Sequence, residues 1–223
     1  MDIWHTASDA DEYLTSGWLG RYLDNHCTNA YEGIEWEGTL SLAMKGEKIS
    51  GIALTNPQAF YNTINSEFFN SLQTPETDND ELNYLYKVFN DTKNSAKYIF
   101  DQHKLKTNTA VYTETIFANK LKEISTLIKS GIQTPVFYTT LGGFDTHVNQ
   151  VFAQDRLLEE LDGGVSSFVK DLEDNDLMKE TTILIFSEFG RRLKENASRG
   201  TDHGKANVAF VIDTHLTKKA HTL

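Results

Sequence analysis

Five acidic and histidine side chains, grouped in three short glycine-framed clusters, are the residues of this sequence best suited to chemistry. The clusters are Gly-Gly-Phe-Asp-Thr-His at 142–147, Ser-Glu-Phe-Gly-Arg-Arg at 187–192 and Gly-Thr-Asp-His-Gly at 200–204. They supply Asp145, His147, Glu188, Asp202 and His203. Carboxylate oxygens and imidazole nitrogens without a thiolate are ligands typical of zinc, manganese or magnesium. The clusters therefore predict a divalent metal site.

Each cluster also has an interpretation without a metal. Asp-Thr-His is common in turns and at helix N-termini, so Asp145 taken alone favours a cap on the following helix. The pair Asp202-His203 beside glycines, taken alone, favours a turn. Glu188 directly follows an apolar segment, where an unpaired carboxylate is costly. Together, the candidate ligands in three such clusters favour metal binding.

Two arginines follow Glu188 in the sequence. Guanidinium groups match phosphate or sulfate oxygens through paired hydrogen bonds, so Arg191 and Arg192 are candidates to bind an anionic group beside the metal. The alternative for both is a surface position or pairing with carboxylates. The sequence pattern leaves these two roles open.

Three short apolar segments are expected to position the clusters. Residues 135–141, 181–186 and 207–212 have the composition of strands, and residues 150–173 have the periodicity of a helix. This order is typical of an α/β protein with a mostly parallel sheet flanked by helices. Because ligands gather at the carboxyl ends of parallel strands, the first two clusters are expected to meet there. The third cluster, at 200–204, is expected in the loop before the last strand.

The N-terminal half is expected to be rich in helices. Helical periodicity occurs over residues 12–27, where Gly17 and Gly20 indicate close backbone approach or a kink. Alternating residues over 40–54 indicate a hairpin. Asn56-Pro57 is a typical helix start, and Gly131 is typical of a helix end. Further amphipathic helices are predicted over residues 60–72, 82–100 and 112–128.

Composition excludes several classes of function. The 223 residues are enough for one large domain with a sizeable core, and the net charge of −11 disfavours nucleic-acid binding. The single Cys27 excludes an internal disulfide. No apolar run is long enough to span a membrane, and residues 1–5 do not resemble an export signal.

In these clusters the sequence resembles the bacterial domain-of-unknown-function family 1501. The three motifs occur in the order and spacing of that family. Met1-Asp-Ile-Trp-His-Thr-Ala7 and Gly17-Trp-Leu-Gly-Arg-Tyr-Leu-Asp24 are also similar to it, so the resemblance runs from residue 1 to residue 212. The family is in turn similar to the alkaline phosphatase and sulfatase superfamily.

The resemblance implies an alkaline-phosphatase-like fold and a metal-dependent hydrolase of phosphate or sulfate esters. Superfamily members bind one or two divalent ions through an Asp…His pair and an adjacent Asp-His pair, to which Asp145 with His147 and Asp202 with His203 correspond. Glu188 would be a further ligand or would support one. Arg191 would stabilise developing charge on a small anionic substrate. The family resemblance also suggests a periplasmic or secreted bacterial protein.

The sequence departs from the family at both ends. Family members begin upstream with an export signal, a first strand and an acidic glycine-rich loop that supplies the nucleophile. We therefore expect a fragment, inactive by itself, that forms one partial domain over residues 1–223. Residues 39–131 would form its hairpin and helical portion, and residues 132–213 its strand–helix–strand portion with the metal motifs.

Two alternatives to a hydrolase stay open at this point. One is a non-catalytic exported module in which the ligands bind a structural metal or support a binding surface. The other is a truncated gene product without a function of its own, whose sheet would expose an unpaired edge. The substrate, the metal and any protein partner are not determined by the sequence.

Overall fold

A computed structural model describes residues 2–216 apart from residues 10, 73, 74, 76 and 206. These residues form a mixed α/β protein. The helices are α1 (Asp2–Thr6), α2 (Trp18–His26), α3 (Pro57–Ile64), α4 (Glu67–Ser71), α5 (Asp80–Lys104), α6 (Ile116–Ser130) and α7 (Gln150–Asp174). The strands are β1 (Gly33–Glu35), β2 (Ile52–Ala53), β3 (Val136–Tyr138), β4 (Ile183–Phe186), β5 (Gly190–Glu195), β6 (Thr201–Gly204) and β7 (Ala209–Ile212). Single 3-10 turns lie at Ala30–Glu32, Leu42–Met44 and Met178–Glu180.

The chain divides into two compact units. The first comprises residues 1–107 and 126–139, and the second comprises residues 108–125 and 140–223, each within its described part. The first unit contains a three-stranded parallel sheet in the order β2-β1-β3. Ile34 pairs with Ile52 on one side and with Phe137 on the other. Ile34 is fully buried, so the middle strand lies at the centre of this core.

Helix α2 packs closely against the backbone of residues 42–46. A Cβ atom at Gly17 would lie 2.0 Å from the carbonyl oxygen of Leu42, and one at Gly20 would lie 2.0 Å from that of Lys45. Glycine is therefore required at both positions, and the predicted close approach is confirmed. At the end of the same helix, the Asp24 carboxylate accepts hydrogen bonds from three backbone N–H groups, those of Glu47, Lys48 and Ile49.

The helices of the N-terminal half begin where their capping residues indicate. Asn56 Oδ1 accepts a hydrogen bond from the N–H of Ala59, with Pro57 in the first turn of α3. Asn79 caps α5 in the same way through the N–H of Leu82. Gly131, at φ +80°, follows α6 in the left-handed conformation expected of a helix end. The predicted helix-rich N-terminal half is thus confirmed, with residues 60–72 divided between α3 and α4.

One sequence-based expectation about strands is wrong, and a second holds only in part. Residues 40–54 form no hairpin, because Leu42–Met44 is a 3-10 turn and β2 pairs in parallel with β1. The expected parallel sheet is present as the three strands β2-β1-β3, but β4 pairs with β7 and β5 pairs with β6 in two separate antiparallel sheets. A run of apolar residues predicts burial but does not encode strand direction, so both orientations were compatible with residues 181–212. The side chains of Leu184 and Phe210 are also exposed, at 47% and 57%, so this pair is not covered on both faces.

The second unit is built on helix α7. Gly163 and Gly164 let this helix approach residues 113–121, since added Cβ atoms would lie 2.8 Å from the Thr113 side chain and 2.9 Å from the Phe117 ring. Leu157, Phe168 and Leu172 are buried along the helix. Within the described part of the chain, no helix has both the length and the apolar character that crossing a bilayer requires.

A buried carboxylate on α7 also binds side chains of residues 108–125 in the same unit. Asp171, only 3% exposed, accepts hydrogen bonds at Oδ2 from the hydroxyl groups of Tyr112 and Ser125, at 2.9 and 2.5 Å, and from Asn108 Nδ2 at 2.9 Å. Asn175 Nδ2 lies 3.3 Å from its other oxygen. A buried charge satisfied by several donors fixes the position of the elements that carry them.

Candidate metal centre

A loop and a hairpin of the second unit supply the side chains predicted to bind metal. Asp145 and His147 lie in the irregular segment before α7, and Asp202 and His203 lie on strand β6. The third cluster is therefore on a strand of a hairpin, not in the loop that the sequence predicted. In the β5–β6 register, His203 is directly opposite Arg191.

The hairpin is closed by residues 196–200. Asn196 Oδ1 accepts hydrogen bonds from the N–H groups of Ser198 and Gly200, at 2.9 and 3.1 Å, and the Asn196 N–H donates to the Gly200 carbonyl at 2.8 Å. This is the local turn chemistry that asparagine favours. The sequence Asn-Ala-Ser-Arg-Gly, which lies between β5 and β6, is the pattern from which a turn and hairpin could have been predicted.

The loop that carries Asp145 and His147 is attached to the hairpin by its backbone. The N–H of Asn149 donates to the Ser198 carbonyl at 3.0 Å, and the N–H of Gln150 donates to the Arg199 carbonyl at 2.9 Å. Asn196 Nδ2 donates to the His147 carbonyl at 3.1 Å. The two ligand-bearing segments are thereby held together by hydrogen bonds that do not involve the candidate ligand side chains.

Gly200 makes this approach sterically feasible. A Cβ atom at this position would lie 2.3 Å from the carbonyl oxygen of His147, far inside van der Waals contact. The glycine that frames the third cluster is therefore needed for packing against the first cluster. Gly142, by contrast, has no atom within 4 Å of its added Cβ.

Asp145 lies between two imidazole rings. Its Oδ1 is 2.7 Å from Nε2 of His203 and 2.9 Å from Nε2 of His147. One ligand atom from each of the three residues lies within 4.8 Å of the others, and all three residues are exposed. The ring centroids of the two histidines are 5.0 Å apart. The first and third sequence clusters therefore meet, whereas the sequence predicted a meeting of the first and second.

The environment of Asp145 favours its ionised form. The hydrogen bond from His203, reinforced by the charges of His203, His147 and Arg191, lowers the pKa of Asp145 below its ordinary value. An ionised carboxylate is the form that binds a cation. The alternative in which Asp145 caps α7 is wrong, because the N-cap of that helix is Asn149.

The remaining predicted ligands lie outside this group of three. Asp202 Oδ1 is 3.8 Å from Nδ1 of His147, on the other side of that ring from Asp145. Its Oδ2 is 3.9 Å from Nη1 of Arg192. Glu188 is half-buried between β4 and β5, and it does not join the convergent group among the described residues. Its role as a ligand stays a prediction.

The aromatic ring of Phe189 is a part of the site that the sequence analysis missed. It stacks on the imidazole of His203, with centroids 4.1 Å apart and planes inclined by 15°. The guanidinium of Arg191 lies on this ring as well, 5.1 Å from its centroid. Only its place within the second cluster, between Glu188 and Arg191, pointed to this residue.

The donor set fits a divalent transition metal. Two imidazole nitrogens and a carboxylate oxygen are the ligands that zinc and manganese accept. The side chains of Asp145, His147 and His203 are 62%, 44% and 46% exposed, which leaves positions for water or substrate on an ion held by them. A site with three protein ligands and open positions is typical of catalytic rather than structural zinc.

The chain belongs to the family described as "Protein of unknown function (DUF1501)", whose sequence model matches residues 6–212. All three clusters lie within the matched range. No curated protein and no solved structure gives a significant match to the chain.

Proposed function

We propose that this protein is a metal-binding domain of a hydrolase related to alkaline phosphatases and sulfatases, acting on phosphate or sulfate esters. The observation that supports the proposal is the convergence of Asp145, His147 and His203, whose ligand atoms lie within 4.8 Å of one another. Two sequence-distant segments meet here, and side chains suited to the same kind of metal face each other.

In the proposed site, Asp145, His147 and His203 hold a divalent cation. Asp202 either binds as a further ligand or orients the ring of His147. A bound ion of this kind polarises an ester oxygen and lowers the pKa of bound water. A carboxylate beside a ligating histidine fixes the orientation and tautomer of the ring, and Asp202 lies on the side of His147 opposite Asp145.

An arginine supplies the charge for an anionic ester group. Arg192 is 67% exposed, and its Nη1 lies 3.9 Å from Oδ2 of Asp202. An exposed guanidinium can bind sulfate or phosphate oxygens through two hydrogen bonds. The proposed substrate class rests on this guanidinium together with the proposed cation.

Calorimetric titration of the metal-free protein with Zn²⁺ and Mn²⁺ tests the metal site. We expect binding near one ion per chain in the wild type and a loss of affinity of more than about 100-fold in His203→Asn and Asp145→Asn, since even residues that only support ligands cost 10–100-fold. The control is His215→Asn, which removes an exposed histidine that contacts the Lys179 carbonyl and is outside the cluster.

Hydrolysis of aryl phosphate and aryl sulfate esters, with and without added metal, tests the reaction. Metal-dependent turnover that is lost in His203→Asn supports the hydrolase. Because the sequence predicts a chain that is inactive by itself, binding of metal without turnover supports the metal site but not the reaction, and absence of metal binding in the wild type refutes the proposal. Far-ultraviolet circular dichroism after chelation distinguishes a structural metal, whose removal unfolds the protein, from a catalytic one.

A further inference from the structure

Arg191 occupies a position that differs from that of its neighbour Arg192. Its Nη1 donates to the carbonyl of Thr201 and its Nη2 donates to the carbonyl of Phe144, both at 2.5 Å. The side chain is 17% exposed, whereas that of Arg192 is 67% exposed. The two neighbouring arginines therefore differ in their surroundings, since Arg191 is largely buried and Arg192 is exposed.

The two carbonyls that Arg191 binds belong to the two segments that carry the proposed ligands. Phe144 immediately precedes Asp145 in the loop, and Thr201 lies two residues before His203 on β6. The same guanidinium lies 3.8 Å from Asp145 Oδ1. One planar group therefore contacts the backbone of both segments and the carboxylate that stands between the histidines.

Each terminal nitrogen of Arg191 donates a hydrogen bond within the protein. Both acceptors are backbone carbonyls, and Nε is buried without a hydrogen-bond partner among the described residues. A clamp on a substrate anion needs at least one free pair of donors directed at the solvent. The geometry of Arg191 matches a bridge inside the protein better than a contact with substrate.

We propose that Arg191 is a positioning residue for the metal centre. Its guanidinium joins the loop before Asp145 to strand β6 and so holds Asp145 next to His203. This inference rests on the proposed function, since it concerns the arrangement of the ligands for the metal. It assigns substrate binding to Arg192 and ligand positioning to Arg191. The planar, forked guanidinium suits this role because it reaches two carbonyls at once, which a lysine ammonium on a flexible chain does not do with the same geometry.

Phe189 extends the same support to the second histidine. Its ring stacks on the imidazole of His203 and lies 5.1 Å from the Arg191 guanidinium carbon, measured to the ring centroid. Arg191 therefore supports His203 through the Phe189 ring. It supports Asp145 through the attraction between their charges and through the hydrogen bond to the Phe144 carbonyl. Loss of the guanidinium is expected to loosen both ligands together.

Titration of the metal-free protein with Co²⁺ tests this role, because the visible d–d absorption of bound cobalt reports ligand number and geometry. In Arg191→Gln we expect Co²⁺ affinity to fall by about 10–100-fold, as for other residues that orient metal ligands, with a changed absorption band. The matched control is Arg192→Gln, for which we expect a loss of at most about fivefold, since an exposed ion pair contributes little.

The imidazole resonances of His147 and His203 in the metal-free protein give a second measurement that needs no metal. We expect them to shift in Arg191→Gln and to stay in place in Arg192→Gln. If Arg191→Gln does not fold, Arg191→Lys decides, because it keeps the charge but reaches only one carbonyl. We expect a loss of at least about tenfold in Co²⁺ affinity for it too.

The outcomes separate this inference from the proposed function. Failure of the wild type to bind Co²⁺ refutes the metal centre, and with it the inference. Binding by the wild type that is unchanged, within threefold and with the same absorption band, in a folded Arg191 variant overturns the inference alone. An equal loss in Arg192→Gln does the same, because the effect would then not be specific to the guanidinium that joins the two segments.

Discussion

Two carboxylates of the second unit, Asp171 and Asp145, each collect several polar partners, but in opposite environments. Asp171 is 3% exposed and takes its hydrogen bonds from hydroxyl and amide groups of Tyr112, Ser125 and Asn108. Asp145 is 62% exposed, and its closest partners are the imidazoles of His147 and His203. The first set is satisfied inside the protein, whereas the second consists of groups that also bind metals.

The difference indicates how to distinguish a structural carboxylate from a functional one. A buried charge requires partners for folding, and hydroxyl and amide donors fill that need around Asp171. Water can solvate Asp145, so its histidine neighbours are not required for folding. Their convergence on an exposed carboxylate is the arrangement that the proposed metal site requires.

The largest effect expected from this comparison is a loss of stability in Asp171→Ala. The substitution leaves the buried donors Tyr112, Ser125 and Asn108 without their acceptor, which is expected to lower the free energy of unfolding by about 3–5 kcal/mol. Urea denaturation followed by circular dichroism measures it. The control Asp174→Ala, on the same helix, removes only an exposed pair with Lys170 and is expected to cost less than about 1 kcal/mol. Equal losses in the two variants would contradict the structural role of Asp171.

A second prediction concerns the attachment of the metal-site loop. In Gly200→Ala the new methyl group collides with the His147 carbonyl at 2.3 Å, which is expected to cost about 1–3 kcal/mol and to weaken metal binding. Gly142→Ala meets open space and is expected to change the free energy of unfolding by less than about 0.5 kcal/mol. Denaturation and metal titration of both variants check this. A Gly200→Ala variant with wild-type metal affinity would show that the loop holds its ligands without this contact.

A smaller effect is expected when one donor is removed and the buried carboxylate is kept. Ser125→Ala deletes the 2.5 Å hydrogen bond from a hydroxyl that is 0% exposed, while Tyr112 and Asn108 continue to donate to Asp171. We expect a loss of about 1–2 kcal/mol in urea denaturation, with metal affinity unchanged. A loss as large as that of Asp171→Ala would mean that Ser125 alone, and not the set of donors, holds the carboxylate.

The sequence was sufficient for most helices because their signals are local. Apolar residues at helical spacing and capping residues such as Asn56 and Asn79 determine α3 and α5 without reference to the rest of the chain. Strand partners depend on distant segments instead. The pairing of β1 with β2 and β3, and of β4 with β7, followed from no local pattern. The hairpin over 40–54 was therefore wrong, and the separate antiparallel pair β4-β7 was not predicted.

Three of the five candidate ligands lie together, although the elements that carry them differ from those expected. Residue type and glycine framing are visible along the chain, so Asp145, His147 and His203 could be selected as candidates from the sequence. Their arrangement could not, because His203 was expected in a loop and lies on a hairpin strand. The surroundings of a side chain could not be predicted from the sequence. The structure was needed to show the different exposures of Arg191 and Arg192 and the contact of Phe189 with His203.

The smallest expected effect is a dependence of stability on alkaline pH that comes from Tyr112, a member of the buried set. Burial, together with the hydrogen bond to Asp171 and its charge, raises the pKa of Tyr112 above its ordinary value of 10.0. The folded protein therefore keeps this phenol protonated at pH values where the unfolded chain has lost the proton. Its contribution to stability is complete below pH 10 and falls as pH rises above it, by about 1 kcal/mol per pH unit.

Tyr112→Phe removes that dependence. We expect it to cost about 1 kcal/mol at pH 8, where one hydrogen bond to Asp171 is lost, and to match or exceed the stability of the wild type near pH 11. Urea denaturation at the two pH values measures the crossing. An exposed tyrosine, Tyr13 at 93% exposure, provides the control, because Tyr13→Phe is expected to leave the pH dependence unchanged. Parallel pH profiles for wild type and Tyr112→Phe would show that the phenol has the same pKa in the folded and unfolded states. That result would contradict the enclosed environment by which the Asp171 set differs from the exposed Asp145.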